Sequence, residues 1–371
     1  MTISGRDCTQ DWQEQVSAAL ANETSLRIRG TGSKDFLGEQ VQADGEICTL
    51  AHSGIMDYAP TELVLTARSG TRLSEVNAAL AAHGQFWPCE PPLFGGEEHA
   101  GEENAGEENG DATLGGAVAA GMSGPGRVAY GAVRDFVLGA GIVTGTGKAL
   151  QFGGRVMKNV AGYDVSRLLA GSFGTLGLIT DVSIKVLPLP EQVLTLAWQE
   201  SIGQAQARFL AASSSTTPCT AAAWLAGTSY MRFGGSTLGV QAAQRQLGGE
   251  LVADAIWRQL RDHQLPLLAS ANSLWRLSVA PAAGTLLAET QVLDWHGGQR
   301  WLCDPASDPR VGLEAGHATL FRAPAEFRAP AATTTPRFQP LTPVVRDIHS
   351  RLKQQFDPGR LFNPGRLYRD L

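Results

Sequence analysis

The residues from Arg27 to Gly38, RIRGTGSKDFLG, end a short apolar-alternating run in Gly-x-Gly and place two side-chain donors, Ser33 and Lys34, directly after it. Successive backbone N–H groups in a glycine turn form a concave anion nest, and a hydroxyl and an ammonium beside them add to its affinity for phosphate or carboxylate. Taken alone, the segment is either a tight turn or such a cradle. It is not a dinucleotide fingerprint of the G-x-G-x-x-G kind, because the third glycine would fall at Asp35, whose carboxylate would face a pyrophosphate. Nor does VTGTGKAL form a phosphate loop for nucleotide hydrolysis. Ile142 stands where its first glycine should be, and Ala149 replaces the magnesium-binding hydroxyl.

Two further glycine-rich stretches favour the cradle. ATLGGAVAAGMSGPG sets Gly115, Gly116, Ala119, Ala120, Gly121 and Gly124 where side chains almost vanish, so a flat ligand could lie against backbone; a close helix–strand contact explains the same pattern. Downstream, Gly171, Gly174 and Gly177 lead tightly into an alternating strand. Elsewhere the chemistry is thin. Cys8, Cys48, Cys89, Cys219 and Cys303 are scattered, with no spacing that would ligate zinc or an iron–sulfur cluster, and their odd number fits a reducing compartment. Three near-identical pentapeptides, GEEHA GEENA GEENG, carry six glutamates between Gly96 and Gly110. Like charges with nothing apolar to bury predict a solvated loop rather than a metal site built on His99.

The elements that must carry these groups follow from periodicity. TSLRIRG reads as a strand. TELVLTARSGTRLSEVNAALAAHG reads as strand, turn and helix, with Leu73, Val76 and Leu80 on one face, Thr71 as N-cap and Gly84 as stop. LGLITDVSIKVLPLP alternates Leu178, Thr180, Val182, Ile184 and Val186 against Asp181, Ser183 and Lys185, predicting a strand with one wet face that Pro188 and Pro190 end. From Glu191 to about Thr335 the pattern weakens into a Trp-rich second domain, whose aromatics are expected in its core first. An amphipathic helix with Val344, Val345, Ile348 and Leu352 on its apolar face then closes the chain. With 371 residues, two domains are expected at roughly 100–200 residues each. A net charge of −6 disfavours nucleic acid and anionic lipid, so any anion must be held locally. No 18-residue apolar run and no basic-then-apolar leader is present, which reads as a cytoplasmic protein reaching a membrane only through a partner.

The ordered run TELVLTARSGT, NAALAAHGQFWPCEPP, ATLGGAVAAG, VRDFVLG, GKALQFGG and KNVAGYDVSRLLAGSFGTLGLITDVSIKVLPLP resembles the FAD-binding domain of the vanillyl-alcohol oxidase / p-cresol methylhydroxylase superfamily. With the ending FDPGRLFNPGRLY, the whole chain resembles the FAD-binding subunits of bacterial glycolate oxidase complexes. The resemblance implies an α+β fold: a two-part FAD-binding domain of the vanillyl-alcohol oxidase type over 1–190, a smaller α+β cap domain over 191–335, and a return to the FAD domain over 336–371. It implies that Arg29, Gly30, Thr31, Gly32, Ser33, Lys34 and Asp35 wrap the FAD pyrophosphate. Gly115, Gly116, Ala119 and Ser123 would run past the ribityl and isoalloxazine parts, Gly174, Gly177 and Ile179 would receive the adenine side, and Asp135 and Asn363 would complete the site. No histidine stands in the first loop, which implies non-covalent FAD.

The implied chemistry is oxidation of a small 2-hydroxy acid. A base takes the hydroxyl proton while hydride leaves the α-carbon for the flavin, and an arginine holds the carboxylate. The family's GDGNLH-like histidine segment is missing. The nearest substitutes are His317, Arg322 and Arg276, followed by His296 and Arg300. The implied partners are a larger FAD-containing glycolate oxidase subunit and an iron–sulfur subunit, since no cluster cysteines occur here. A flavin relay or assembly role without hydroxy-acid chemistry is the alternative.

Overall fold

The computed structural model describes residues 5–94, 112–154, 164–284, 286–323 and 335–371. The acidic pentapeptides, His99 and residues 155–163 of the resembling run lie outside the described residues. The chain divides into two compact units, one of Met1–Met122, Ala132–Pro188 and Pro340–Leu371, the other of Ser123–Gly131 and Leu189–Gln339. Residues 123–131 are thus a short excursion from the first unit's stretch of sequence that joins the second.

In the first unit, helix α1 (Thr9–Ala21) precedes a parallel pair, β1 (Leu26–Arg29) and β2 (Gly45–Cys48). An antiparallel five-stranded sheet has the order β3 (Ile55–Ala59), β4 (Val64–Arg68), β8 (Leu178–Lys185), β6 (Val137–Val143), β7 (Ala149–Gly153). A two-stranded ribbon joins β5 (Gln85–Phe86) to β9 (Leu187–Pro188). Helix α2 (Leu73–Ala81) buries Leu73, Val76 and Leu80 as their spacing requires. Its N-cap is Arg72, however, because the Thr71 hydroxyl is occupied by the backbone of Gly54. The wet face expected for β8 is only partly wet: Ser183 is buried and shares a 2.8 Å hydrogen bond with Thr66, leaving Asp181 and Lys185 as the half-exposed positions. Three short helices complete the described part before the return: α3 (Leu114–Ala120), α5 (Val133–Phe136) and α6 (Val165–Leu168).

The second unit holds α4 (Arg127–Tyr130) and an antiparallel eight-stranded sheet. Its strands are β10 (Gln192–Gln199), β11 (Cys219–Leu225), β12 (Thr228–Gly235), β13 (Glu250–Val252), β14 (Leu274–Ser278), β15 (Val292–Asp294), β16 (Gln299–Cys303) and β17 (His317–Arg322), in the order β13-β10-β12-β11-β15-β16-β14-β17. Helices α7 (Ile202–Ser213) and α8 (Thr237–Leu247) bury Ala205, Phe209, Val240 and Ala243 against this sheet, with α7 opened by a Ser201/Gln204 capping box. The shorter α9 (Ala255–Arg261) and α10 (Pro266–Ala269) follow. Trp257, Trp275, Trp295 and Trp301 are buried, as expected of core aromatics, while Trp224, expected among them, is half-buried.

The final helix, α11 (Pro343–Phe356), departs from its sequence pattern. Val344, Val345 and Ile348 are 72%, 39% and 51% exposed, and the one buried residue of the helix is Lys353. The helix is anchored by charge rather than by its apolar stripe. The Lys353 ammonium donates to the carbonyls of Thr175 and Phe362 at 2.7 and 3.0 Å and to the fully buried Asp357 carboxylate at 2.8 Å, which in turn accepts from the N–H of Leu361 and Phe362. Burial lowers the Lys353 pKa and the partner carboxylate opposes that. The network turns the chain sharply after the helix, so that Phe362 bridges to Leu26 in parallel at the edge of β1.

Candidate functional site: a glycine cradle closed by the C-terminal return

β1 runs straight into the glycine turn. Its N–H at Ile28 is taken at 2.8 Å by the Asn363 side-chain carbonyl, while Thr49 N–H donates to the carbonyl of Arg29 at 2.8 Å. Beyond that point no acceptor among the described residues takes the backbone N–H of Gly30, Thr31, Gly32 or Ser33. Four consecutive open amides in a turn are the donor set of an anion nest. Gly32 lies at φ +76°, in the left-handed region, and a Cβ on Gly30 would come within 2.8 Å of the Thr113 hydroxyl, so both glycines are required by the geometry.

Cations surround the turn. Arg27 and Arg29 both donate to Asp35 Oδ2, at 2.6 and 2.7 Å, and Lys34 stands 5.4 Å over the ring of Phe94. Asp35 therefore holds the two guanidiniums in place rather than opposing an anion in the turn. From the C-terminal return, Arg366 donates to the carbonyls of Glu39 at 3.3 Å and Lys34 at 2.9 Å. Asn363 lies at φ +43° and donates to the carbonyl of Phe173, itself at φ +52°, at 2.7 Å. Two non-glycine residues in the left-handed region beside one cavity are strain maintained by these bonds.

The cavity encloses about 100 Å³, enough for a diphosphate bridge but less than the roughly 300–1,000 Å³ of a whole-ligand pocket. Of the residues expected to touch FAD, Arg29, Gly30, Thr31, Gly32, Ser33, Lys34, Asp35, Gly116, Ala119 and Asn363 line it together. Thr113 lines it too and caps α3 by accepting from Gly116 N–H at 3.1 Å. The other expected contacts do not line this cavity. A Cβ on Gly115 would press on Ser69 at 2.5 Å, so its smallness serves helix packing; one on Gly174 would meet the Asn363 amide at 2.8 Å, and one on Gly177 would meet Ile142 at 3.2 Å. Ile179 is buried in β8, Asp135 caps α5 by accepting from Ala132 N–H at 2.8 Å, and Ser123 belongs to the excursion of the second unit. Sequence reasoning missed Arg27 and Arg366, although Arg366 lies three residues after Asn363 in the quoted ending.

The residues chosen for hydroxy-acid chemistry are spread over β14, β16, β17 and the turn before β16. His317 and Arg322 stand at opposite ends of β17, about 16 Å apart at the usual strand rise. His317 is exposed, and Arg322 is committed to the carbonyls of Leu268, Ala269 and Ala271 at 2.9, 2.9 and 3.2 Å. Buried Arg300 donates to the carbonyls of Gly297 and Ala283. His296 is buried, its pKa pushed down to about 4 by desolvation, and its Nε2 lies 3.4 Å from the Cys219 thiol, which burial pushes up to about 12. At neutral pH that pair is an uncharged imidazole and an uncharged thiol. Among the described residues Arg276 makes no hydrogen bond or ion pair; its guanidinium lies 5.9 Å from the ring centre of Phe321.

Residues 7–96 and 105–153 match the FAD-binding domain family. The chain is 43% identical over 370 residues to glycolate oxidase subunit GlcE of Escherichia coli K12, covering 98% of this chain and 99% of that protein. It is also 30% identical over 193 residues to glycolate oxidase subunit GlcD of Bacillus subtilis, and 31% identical over 188 residues to a D-lactate dehydrogenase of Anaerostipes hadrus. Each of those alignments covers 49% of this chain, and respectively 37% and 36% of the relative. Among solved structures, alkyldihydroxyacetonephosphate synthase superposes with a TM-score of 0.61 at 14% identity, over 96% of this chain and 75% of that one. At that identity the likeness concerns fold alone. It agrees with the two-part α+β FAD-binding architecture expected from the sequence, and FAD is the cofactor.

Proposed function

Because this chain belongs to the glycolate oxidase GlcE family, we propose that it is the FAD-binding subunit of a complex that oxidises glycolate to glyoxylate and passes the electrons to an iron–sulfur partner. The observation that carries the cofactor's placement is the row of four open amides between Arg29 and Lys34, ringed by Arg27, Arg29, Lys34 and Arg366. These residues hold the diphosphate. The flavin supplies the hydride acceptor when bound. Among the described residues no helix is long and apolar enough to cross a membrane; we place the protein in the cytoplasm, touching the inner membrane through its partners.

A second reading is favoured by one observation. His317 is exposed at one end of β17, Arg322 at the other end is committed to carbonyls, and His296 is buried and neutral, so none of the three shows the hydrogen-bonded geometry of a general base. On that reading the chain relays electrons from flavin to flavin, and the larger FAD subunit performs the hydroxy-acid chemistry. Anaerobic addition of glycolate to the purified, FAD-loaded chain decides between them. Bleaching of the flavin bands by the isolated chain supports a catalytic subunit, whereas bleaching only in the assembled complex supports the relay. A purified chain that takes up no FAD contradicts both.

A further inference from the structure

Lys353 and Asp357 form a buried ion pair, their side chains 4% and 0% exposed, and neither lines the cavity. Taking two charges out of water is costly, and an apolar pair of similar volume often serves stability as well. Stability alone is thus a weak reason for the pair. Its bonds point to another.

An ammonium has three donors, and Lys353 uses all of them. One reaches Asp357 on the same helix; the other two reach the carbonyls of Thr175 and Phe362. Thr175 closes the turn from Ser172, whose carbonyl accepts from both the N–H and the hydroxyl of Thr175, at 3.0 and 2.7 Å. Phe362 belongs to the C-terminal return, where Leu26 N–H donates to the carbonyl of Leu361 at 2.7 Å and Asn363 N–H donates to the carbonyl of Leu26 at 2.9 Å. Lys353 therefore ties the turn to the return. Asp357 keeps the return in place beneath it by accepting from the N–H of Leu361 and Phe362, and Gly145 packs so closely that a Cβ there would lie 2.1 Å from the carboxylate.

Asn363 ties the same two segments a second time, now at the cavity. Its amide N–H donates to the carbonyl of Phe173, and its side-chain carbonyl accepts from Ile28 N–H, two residues before the first open amide of the glycine turn. Phe173 and Asn363 both line the cavity, and both lie in the left-handed region. Such conformations persist only where the surroundings impose them. The spacing between turn and return is what imposes them here, and Lys353 spans it.

We infer that Lys353 is a positioning residue for the diphosphate cradle: braced by Asp357, it fixes the turn 172–175 against the C-terminal return and, through Phe173 and Asn363, sets the shape of the cavity without touching the cofactor. The inference rests on the placement of FAD in the glycine turn. Coupling of this kind is reciprocal, so a bound cofactor tightens the end of α11 by the same factor.

The test is the dissociation constant of FAD for the flavin-depleted full-length chain, titrated at low temperature, where the variants compared are folded. Lys353→Met is expected to raise it about tenfold or more, within the range of about 5–150-fold usual for coupled sites. Leu80→Ala opens a cavity under the buried face of α2, lowers the melting temperature, and should leave the FAD constant unchanged. The double variant Lys353→Met, Asp357→Asn removes both charges and keeps an acceptor for the return. It should recover most of the lost melting temperature while FAD remains weakly bound. Wild-type affinity in Lys353→Met, an equal loss in Leu80→Ala, or recovery of affinity together with stability in the double variant overturns the inference. Should the Lys353 variants fail to fold, hydrogen exchange of the wild-type chain decides: FAD should slow the amides of Lys353 to Asp357 about tenfold, and unchanged exchange there refutes the coupling. A wild-type chain that takes up no FAD overturns the cofactor reading and this inference with it, whereas wild-type uptake with an unaltered Lys353→Met overturns this inference alone.

Discussion

Gly32 carries the sharpest demand in the cradle, and its replacement separates backbone strain from electrostatics. At φ +76° a non-glycine residue costs about 1–2 kcal/mol. The new Cβ would also sit 2.8 Å from Arg29 Nε, the atom that holds Asp35 at 2.7 Å, so Arg29 must swing aside. Losing that half-exposed ion pair adds about 0–1 kcal/mol. Gly32→Ala should therefore destabilise the cofactor-free chain by about 1–3 kcal/mol while leaving most of its response to FAD.

Gly32→Glu adds a carboxylate about 5 Å from a bound phosphate, a repulsion of about 3 kcal/mol per charge at an effective dielectric of about 20. Since about 1.4 kcal/mol is tenfold in affinity, the dissociation constant should rise at least about 100-fold. FAD at about 100 times the wild-type dissociation constant stabilises wild type by about 2.7 kcal/mol, and a variant weakened about 100-fold by only about 0.4 kcal/mol. The assay is a melt followed by far-ultraviolet circular dichroism at fixed FAD, which flavin emission does not disturb. If Gly32→Glu shows the wild-type increment on adding FAD, the diphosphate does not lie in this turn and the site assignment fails.

Lys353→Met should destabilise the fold by about 3–5 kcal/mol, because it leaves Asp357 buried without its counter-charge; an unchanged urea midpoint would show that the C-terminal return is held otherwise. Arg366→Ala should release the carbonyls of Lys34 and Glu39 and weaken FAD binding by about tenfold or more, consistent with about 1.5–3 kcal/mol for charge-assisted bonds, and isothermal titration with FAD measures it. His52 accepts from Cys8 N–H at Nδ1 and donates from Nε2 to the Thr180 carbonyl, and burial holds its pKa below the usual value. Its contribution is therefore full above the unfolded pKa of about 6.5 and is lost as pH falls below it, by at most about 1.4 kcal/mol per pH unit. His52→Gln should flatten stability between pH 6.5 and 5, and an equally steep loss in the variant argues against this reading. Deleting Glu97 to Asn109 should leave FAD affinity within about twofold, as expected of a solvated loop; lost binding would assign the acidic repeats a part in the site.

Local signals in the sequence made the glycine turn legible and its supports less so. A Gly-x-Gly after an alternating strand, with Ser33 and Lys34 following, is decided within a few residues, because the turn's φ angles and its open amides are both local properties. The α2 stripe of Leu73, Val76 and Leu80 was legible for the same reason. The apolar stripe of α11 misled, since periodicity reports which face is apolar and not whether anything covers it. What fixes α11 is an ammonium reaching carbonyls at positions 175 and 362, an arrangement without periodicity. At Gly115, Gly174 and Gly177 a Cβ would crowd a neighbouring residue, a requirement that spacing alone does not reveal.

The second unit sharpens this point. His317 and Arg322 looked like partners because they are close in sequence, yet a strand separates residues by its full rise, and both lie on β17. Residues meet on a sheet by register across strands, as Arg276 meets Trp301, or by a detour such as the one that brings Arg127 over Trp295. Neither relation leaves a trace in spacing. The unanswered donors of Arg276 do leave one in the folded chain, because burying a charge without a partner is a cost that a stable fold otherwise avoids.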